Sequence, residues 1–193
     1  MSKYVSIDLE TTGLNWETCQ ILSFGAVIED RSKNTPIEDL PKFHKIINRD
    51  LIKGEPYALS LNKDIIETIK IGKSEDLIYE QDLTPYFLSF LLQNGYESMQ
   101  QASWDSVSVK INVAGKNFNG FDKRFLEKVP KFFDIIKVGH RVLDPAPLYL
   151  EKGDENLPNL QTCLDRAGIN TEVTHDALQD CIDVIKVLRY KGV

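Results

Sequence analysis

A chain of 193 residues with 42% hydrophobic content is long enough to bury a substantial core as one domain. No stretch approaches the roughly 20 apolar residues of a membrane-spanning helix, which excludes a membrane channel or anchor of that kind. The net charge of −6, from 29 acids against 23 Lys and Arg, argues against a protein that coats long duplexes, because non-specific grip on a polyanion comes from many basic contacts. An enzyme holding only a few nucleotides stays allowed.

In chain order, Tyr4 to Glu10, Ile21 to Glu29 and Phe43 to Ile47 read as three strands, rich in β-branched or aromatic residues and bounded by turn formers. The opening MSKYVSIDLE runs straight into the first strand, so no charged-then-apolar leader is expected. Residues 31–41, polar with two prolines, connect the second strand to the third. Ser60 to Ile71 carries Leu61, Ile65, Ile66 and Ile69 at helical spacing, with Ser60 as the expected cap. Thr84 to Gln93 predicts a second helix, and residues 94–106 look irregular. Val107 to Ala114 alternates as a strand, Gly120 to Lys128 starts a helix, and His175 to Tyr190 makes a long closing one. Three strands followed by helix and strand units predict an α/β mixed sheet flanked by helices, in a single domain over residues 1–193. Cys19, Cys163 and Cys181 are odd in number, with the spacing of neither a zinc site nor a disulfide framework, so a reduced, cytoplasmic protein is expected.

Three local patterns carry reactive side chains. Asp8 and Glu10, two apart on a strand, project to one face while Val5, Ile7 and Leu9 cover the other. Alone, two acids at a strand end could merely meet solvent; followed by Thr11, Thr12 and Gly13 they suggest an oxygen-rich edge for hard cations. The Gly and Asn-rich turn from Gly115 to Gly120 aims a helix start, with its free amides and Asp122, toward a cleft. As a bland alternative, Asp122 could be a helix cap. His175 lies five residues before Asp180, so near a helix start both can face one side. Four carboxylates gathered in one cleft would repel one another unless divalent cations sat between them, so a metal site is the first hypothesis. Lys116, Lys123, Arg124, Lys128, Lys131, Lys137 and Arg141 flank Asp122 and form either a solvated helix face or a short electropositive rim.

The strings DLETTG (residues 8–13), NFNGFD (117–122) and THDALQD (174–180), in this order, resemble the three signature segments of the 3′-to-5′ exonuclease superfamily of the ribonuclease-H-like fold. More narrowly they look like its histidine-containing branch, which includes polymerase proofreading subunits, oligoribonucleases and ribonuclease T. The other branch carries a tyrosine four residues before the last aspartate; here Asp176 stands there, and His175 occupies the place of the histidine. Many members place an asparagine four residues before the second motif's aspartate, whereas this chain has Phe118, flanked by Asn117 and Asn119.

The resemblance implies a ribonuclease-H-like mixed sheet, with three antiparallel early strands and then parallel ones. It implies two divalent cations, Mg2+ or Mn2+, with Asp8 bridging both, Glu10 and Asp180 completing the first ion's shell and Asp122 holding the second. Oxygen-only ligands suit those ions. His175 would be the general base, since an ordinary imidazole is substantially neutral near neutral pH. The product would be a nucleoside 5′-monophosphate. Backbone groups of Thr11 and Thr12 would meet the terminal 3′ hydroxyl, Leu14 would lie against the terminal base, and Asn117 or Asn119 would approach the substrate. Trp16 and Phe118 could stack on bases, or pack in the core. Asp144 could support the site or simply open a turn before Pro145. Asp176 and Asp183 are expected on the last helix, facing solvent or backing the ligands. The partners implied are single-stranded DNA or RNA 3′ ends, with a polymerase or a second copy of the chain as protein partner and no membrane. With no polymerase-binding tail after Val193, a stand-alone trimming role is favoured. A rival of another class is a binding module that kept the fold and lost the chemistry, but all five reactive positions are filled.

Overall fold

The computed structural model describes residues 3–100 and 107–193. Its strands are β1 (Lys3–Thr11), β2 (Ile21–Asp30), β3 (Lys42–Ile47), β4 (Leu77–Ile78), β5 (Ser98–Gln100), β6 (Val107–Ile111), β7 (Val113–Ala114) and β8 (Ile136–Val138). Its helices are α1 (Pro56–Leu61), α2 (Lys63–Ile71), α3 (Glu80–Gln93), α4 (Asp122–Leu126), α5 (Phe132–Ile135), α6 (Leu160–Arg166) and α7 (Ala177–Tyr190).

The first three strands form an antiparallel meander, with Asp8 opposite Gly25 and Phe24 opposite Lys45. β7 then joins β1 in parallel, and β4 pairs parallel with β3, giving the order β4-β3-β2-β1-β7. This is the expected α/β mixed sheet, three antiparallel strands and then parallel ones, although the strand order agrees with a ribonuclease-H-like sheet only in outline. One reason is the break at Asn112. Residues 107–114, expected as one strand, are split there: the Asn112 carbonyl accepts from Val5 N at 2.9 Å and its side chain donates to the Lys3 carbonyl at 3.2 Å. β6 consequently groups with β5 and β8 in a second, three-stranded sheet. Of the segment 94–106, expected to be irregular, residues 98–100 pair with β6, and residues 101–106 lie outside the described residues.

Period-two alternation along β1 sends its two faces to different cores. Val5, Ile7 and Leu9 join Phe24, Phe43, Phe87 and Phe132 on one side, where Phe24 meets the other three rings at centroid distances of 5.8, 4.9 and 6.1 Å. Tyr4 joins Leu164, Cys181, Val184 and Leu188 of α6 and α7 on the other. All three cysteines are free and buried, acting as small hydrophobes.

Several boundaries differ from expectation for local reasons. The helix expected from Ser60 is two helices: Pro56 sits at the start of α1, where its missing N–H costs nothing, and Asn62 separates α1 from α2. Ser60 lies inside α1 and caps nothing. α3 begins four residues before the expected Thr84, tolerating Pro85 within it, with Glu80 and Asp82 in a first turn that favours acids. The helix at Gly120 to Lys128 shrinks to Asp122–Leu126. α7 starts at Ala177, not His175, because Asp176 caps it by accepting from Gln179 N at 2.8 Å.

The start of α7 crosses the sheet at Gly25, where a Cβ would lie 2.4 Å from the backbone carbonyl of Ala177. No side chain of any size fits. Because Gly25 pairs with Asp8, this close approach brings the first turn of α7 down beside Asp8 on β1. At its far end α7 is fastened by Arg189, which meets buried Glu29 of β2 at 2.5 Å and donates to the Thr35 carbonyl at 2.8 Å. Gly25→Val should therefore force α7 outward at an overpacking cost of about 1–3 kcal/mol. For a domain of this size that lowers Tm by roughly 2–4 °C per kcal/mol. Thermal unfolding followed by circular dichroism checks it, and an unchanged Tm would contradict the close contact.

Candidate active site

Each reactive side chain is placed by a different device. Asp8 and Glu10 ride on β1, an interior strand paired on both sides in the five-stranded sheet, which gives them a rigid base. Asp122 is the first residue of α4, reached through a turn in which Asn117 takes a left-handed φ of 58° and its N–H is held by Asp144 Oδ2 at 2.8 Å. Asp144 also accepts from Ala146 N at 2.9 Å, so it opens a turn and anchors the second motif at once. Asp180 lies in the first turn of α7. His175 precedes the cap of that helix and has a φ of 53°, uncommon for a residue with a side chain. That bend folds its ring back, so that ligand atoms of Glu10, His175 and Asp180 lie within 4.8 Å of one another.

Burial and mutual repulsion dominate the electrostatics. Asp8 keeps some surface open to the cleft, yet its carboxyl is pushed well above the ordinary range, first by loss of solvent and then by Asp122, Asp180, Glu10 and Asp176. Burial and then Asp180 push Glu10 to about 8, with Asn62 opposing. Burial pushes Asp122 to about 8 against the pull of two backbone N–H groups, its own and that of Leu9. Asp180 rises to about 7 through burial, Asp183 and Asp176. Repulsion from Asp122, Asp180 and Glu10 thus adds to burial at Asp8.

The buried atoms Asp122 Oδ1 and Asp180 Oδ1 have no hydrogen-bond partner among the described residues. Unpaired buried carboxylate oxygens are costly, and a divalent cation would both satisfy them and cancel the repulsion. The donor set is mainly hard oxygen, so the residues present fit Mg2+ or Mn2+ better than a thiolate-seeking metal.

Asp8, Glu10 and Asp180 open into a cleft of about 350 Å3 that Thr11, Glu55 and Asn62 also line and whose remaining walls are largely apolar; Asp122 is not among its lining residues. Leu14 is 76% exposed, Tyr57 78% and Leu61 40%, all lining it together with Phe121. α1, which supplies Tyr57 and Leu61, has the sequence PYALSL and buries none of its residues. Such an apolar helix without a core is the signal that could have revealed this wall, since Tyr57 and Leu61 are one turn apart. Its entry is pinned by Gly54, where a Cβ would fall 2.1 Å from the Thr12 carbonyl, and by Glu55 N, which donates to that carbonyl at 2.7 Å. At its end Asn62 donates to the Thr11 carbonyl at 3.3 Å.

Not every expected substrate residue reaches the cleft. Thr11, Leu14 and the acids Asp8, Glu10 and Asp180 line it. Thr12 does not: it is fully buried, its N–H and hydroxyl are both engaged by Gln20, and its carbonyl is taken by Glu55. Phe118 is 0% exposed and packs in the core beside Phe125, so it offers no face to a base. Asn117 folds over Gly120, and Asn119 faces a neighbouring cleft instead. Trp16 is exposed but outside the acidic cleft, its carbonyl accepting from Lys128 at 2.7 Å. Asp183, expected at solvent or behind the ligands, is wholly buried one turn below Asp180, held by Gln179 at 2.9 Å and Lys186 at 2.7 Å.

A family model described as exonuclease, RNase T, matches residues 5–188. No curated protein matches the chain.

The raised carboxyls imply a pH signature. These acids titrate higher in the folded protein than unfolded, so their ionisation penalty is absent below about pH 4 and accumulates as pH rises to about 8. In chelator, Tm is expected to fall across that window. Added Mg2+ should raise Tm more at the upper end than the lower, and Asp8→Asn should raise the chelated Tm at the upper end while removing most of the Mg2+ response. Calorimetry across the window checks this, and a Mg2+ shift equal at both ends would contradict it.

Proposed function

Because the chain belongs to the RNase T exonuclease family, we propose that it hydrolyses single-stranded DNA or RNA stepwise from the 3′ end, releasing nucleoside 5′-monophosphates. The observation that carries this reading is that Asp8, Glu10 and Asp180 and the exposed apolar groups Leu14, Tyr57 and Leu61 share one cleft of about 350 Å3. That volume is near the low end of ligand pockets, suited to one nucleotide and too small for a duplex.

A phosphodiester is anionic and its leaving alkoxide is poor, so hydrolysis needs charge neutralisation on both sides of phosphorus and an activated water. Divalent ions would supply both when bound, and Asp8, Glu10, Asp122 and Asp180 are the residues that would hold them. His175 takes the proton of the attacking water; its exposed ring can pass that proton on to solvent. The terminal base packs on Leu14, Leu61 and the Tyr57 face, contacts that accept any base because each has a π-face. Thr11, at the end of β1, lines the cleft and is where the terminal 3′ hydroxyl is met.

End-labelled DNA and RNA oligomers incubated with Mg2+ test the reading. Stepwise mononucleotide release from the 3′ end should stop in chelator and with Asp8→Ala, and should fall by roughly 10²–10⁴ with His175→Ala. Internal cuts, or activity indifferent to Asp8, would sink it. Tyr57→Ala should raise KM by about 5–150-fold with kcat nearly unchanged, as loss of one stacking contact of roughly 1–3 kcal/mol implies. Steady-state kinetics on a short oligomer separate the two constants.

A further inference from the structure

A second cleft, of about 590 Å3, lies on the other side of the turn that delivers Asp122. Asn119, Lys123, Lys137 and His140 line it, with Glu127 the acid among them and Phe133 an aromatic wall. The segment from Asn119 to Lys123 is the partition between the two clefts, since Phe121 lines the acidic one while Asn119 and Lys123 line this one.

The basic groups here, two lysines and an imidazole, are not spent on the fold. Among the described residues none of Lys123, Lys137 and His140 forms an ion pair. Lys137 Nζ donates only to the Phe133 carbonyl, at 3.0 Å, which fixes the ammonium at the cleft wall and leaves it further N–H donors. The one acid is already matched, Glu127 lying 3.6 Å from Arg124. Lys128, by contrast, is committed to the Trp16 and Glu17 carbonyls and serves as a brace. On a chain of net charge −6, a recess with unmatched cations is a local reversal of sign, and such a recess focuses the field on an anionic partner.

We propose that this cleft holds the phosphodiester backbone of the substrate strand upstream of the bond being cut, with Lys123 and Lys137 on its phosphates, Asn119 and His140 hydrogen-bonding its oxygens and Phe133 offering a surface for a base. It rests on the nuclease reading for the identity of the strand. The cleft grips without reading sequence, because phosphate contacts position a strand and do not specify it. It also sets a length preference: a dinucleotide places its terminal nucleotide in the acidic cleft and has too little upstream backbone to fill the second, whereas a longer strand occupies both.

The test compares wild type with Lys123→Ala/Lys137→Ala and with Lys123→Arg/Lys137→Arg. Anisotropy of a labelled single-stranded oligomer in chelator gives the salt dependence of binding, and Mg2+ kinetics give KM for a dinucleotide and for the longer strand. Two lost phosphate contacts should make the slope of log K against log salt shallower by about 1.4, and raise KM for the long strand about tenfold. The dinucleotide constants should hold, and the arginine pair should restore the slope. If the alanine pair fails to fold, Lys137→Gln alone should show about half the slope change, ~0.7. An unchanged slope, or an equal rise in KM for the dinucleotide, would overturn the proposal. Wild type cleaving neither substrate while the slope change persists would sink the nuclease reading and leave the cleft standing.

Discussion

Asp8, Glu10, Asp122 and Asp180 are held close enough to raise one another's protonation energies, and much of the scaffold makes sense as the means of imposing that proximity. Left to themselves, like charges with little water between them would part. β1 cannot yield, being hydrogen-bonded on both sides and packed on both faces. α7 cannot lift easily, because its first turn rests on Gly25 and its last is fastened by Arg189 to Glu29. The turn before Asp122 is anchored through Asn117 by Asp144. Strain of this sort persists only where the surroundings over-determine it, and it gathers where function requires.

Much of this was legible in the sequence because it rests on short-range periodicity. The two-residue spacing of Asp8 and Glu10 placed them on one face, and the structure puts Val5, Ile7 and Leu9 on the other, in a separate core. The sequence also suggested that His175 and Asp180 could meet, but through a helix that begins at the histidine. The observed route is a left-handed residue before a capped helix, a conformation that no periodicity encodes.

What escaped the sequence was governed by tertiary contacts. Phe118 looked available because aromatic residues both stack and pack, and only the surrounding core decides between them. Thr12 looked like a substrate group until Gln20 and Glu55, distant in sequence, claimed its backbone. Tyr57 escapes the periodicity because Pro56 and Asn62, not Ser60, punctuate that region and begin its helix earlier than the apolar spacing does. The basic run around Asp122 likewise contained two populations, braces such as Lys128 and unmatched cations such as Lys123, which charge counting cannot separate.

The unburied state of α1 has a consequence for stiffness. Local opening costs least where few apolar contacts are lost, and this helix buries none of its residues, being tied mainly through its two ends to the backbone of Thr12 and Thr11. The acidic cleft therefore has one wall made of an interior sheet strand and another near the low end of the local stability scale. In hydrogen exchange the amides of Leu59 and Asn62 should trade with solvent by fraying of α1 alone, while those of β1 wait for unfolding of the whole sheet.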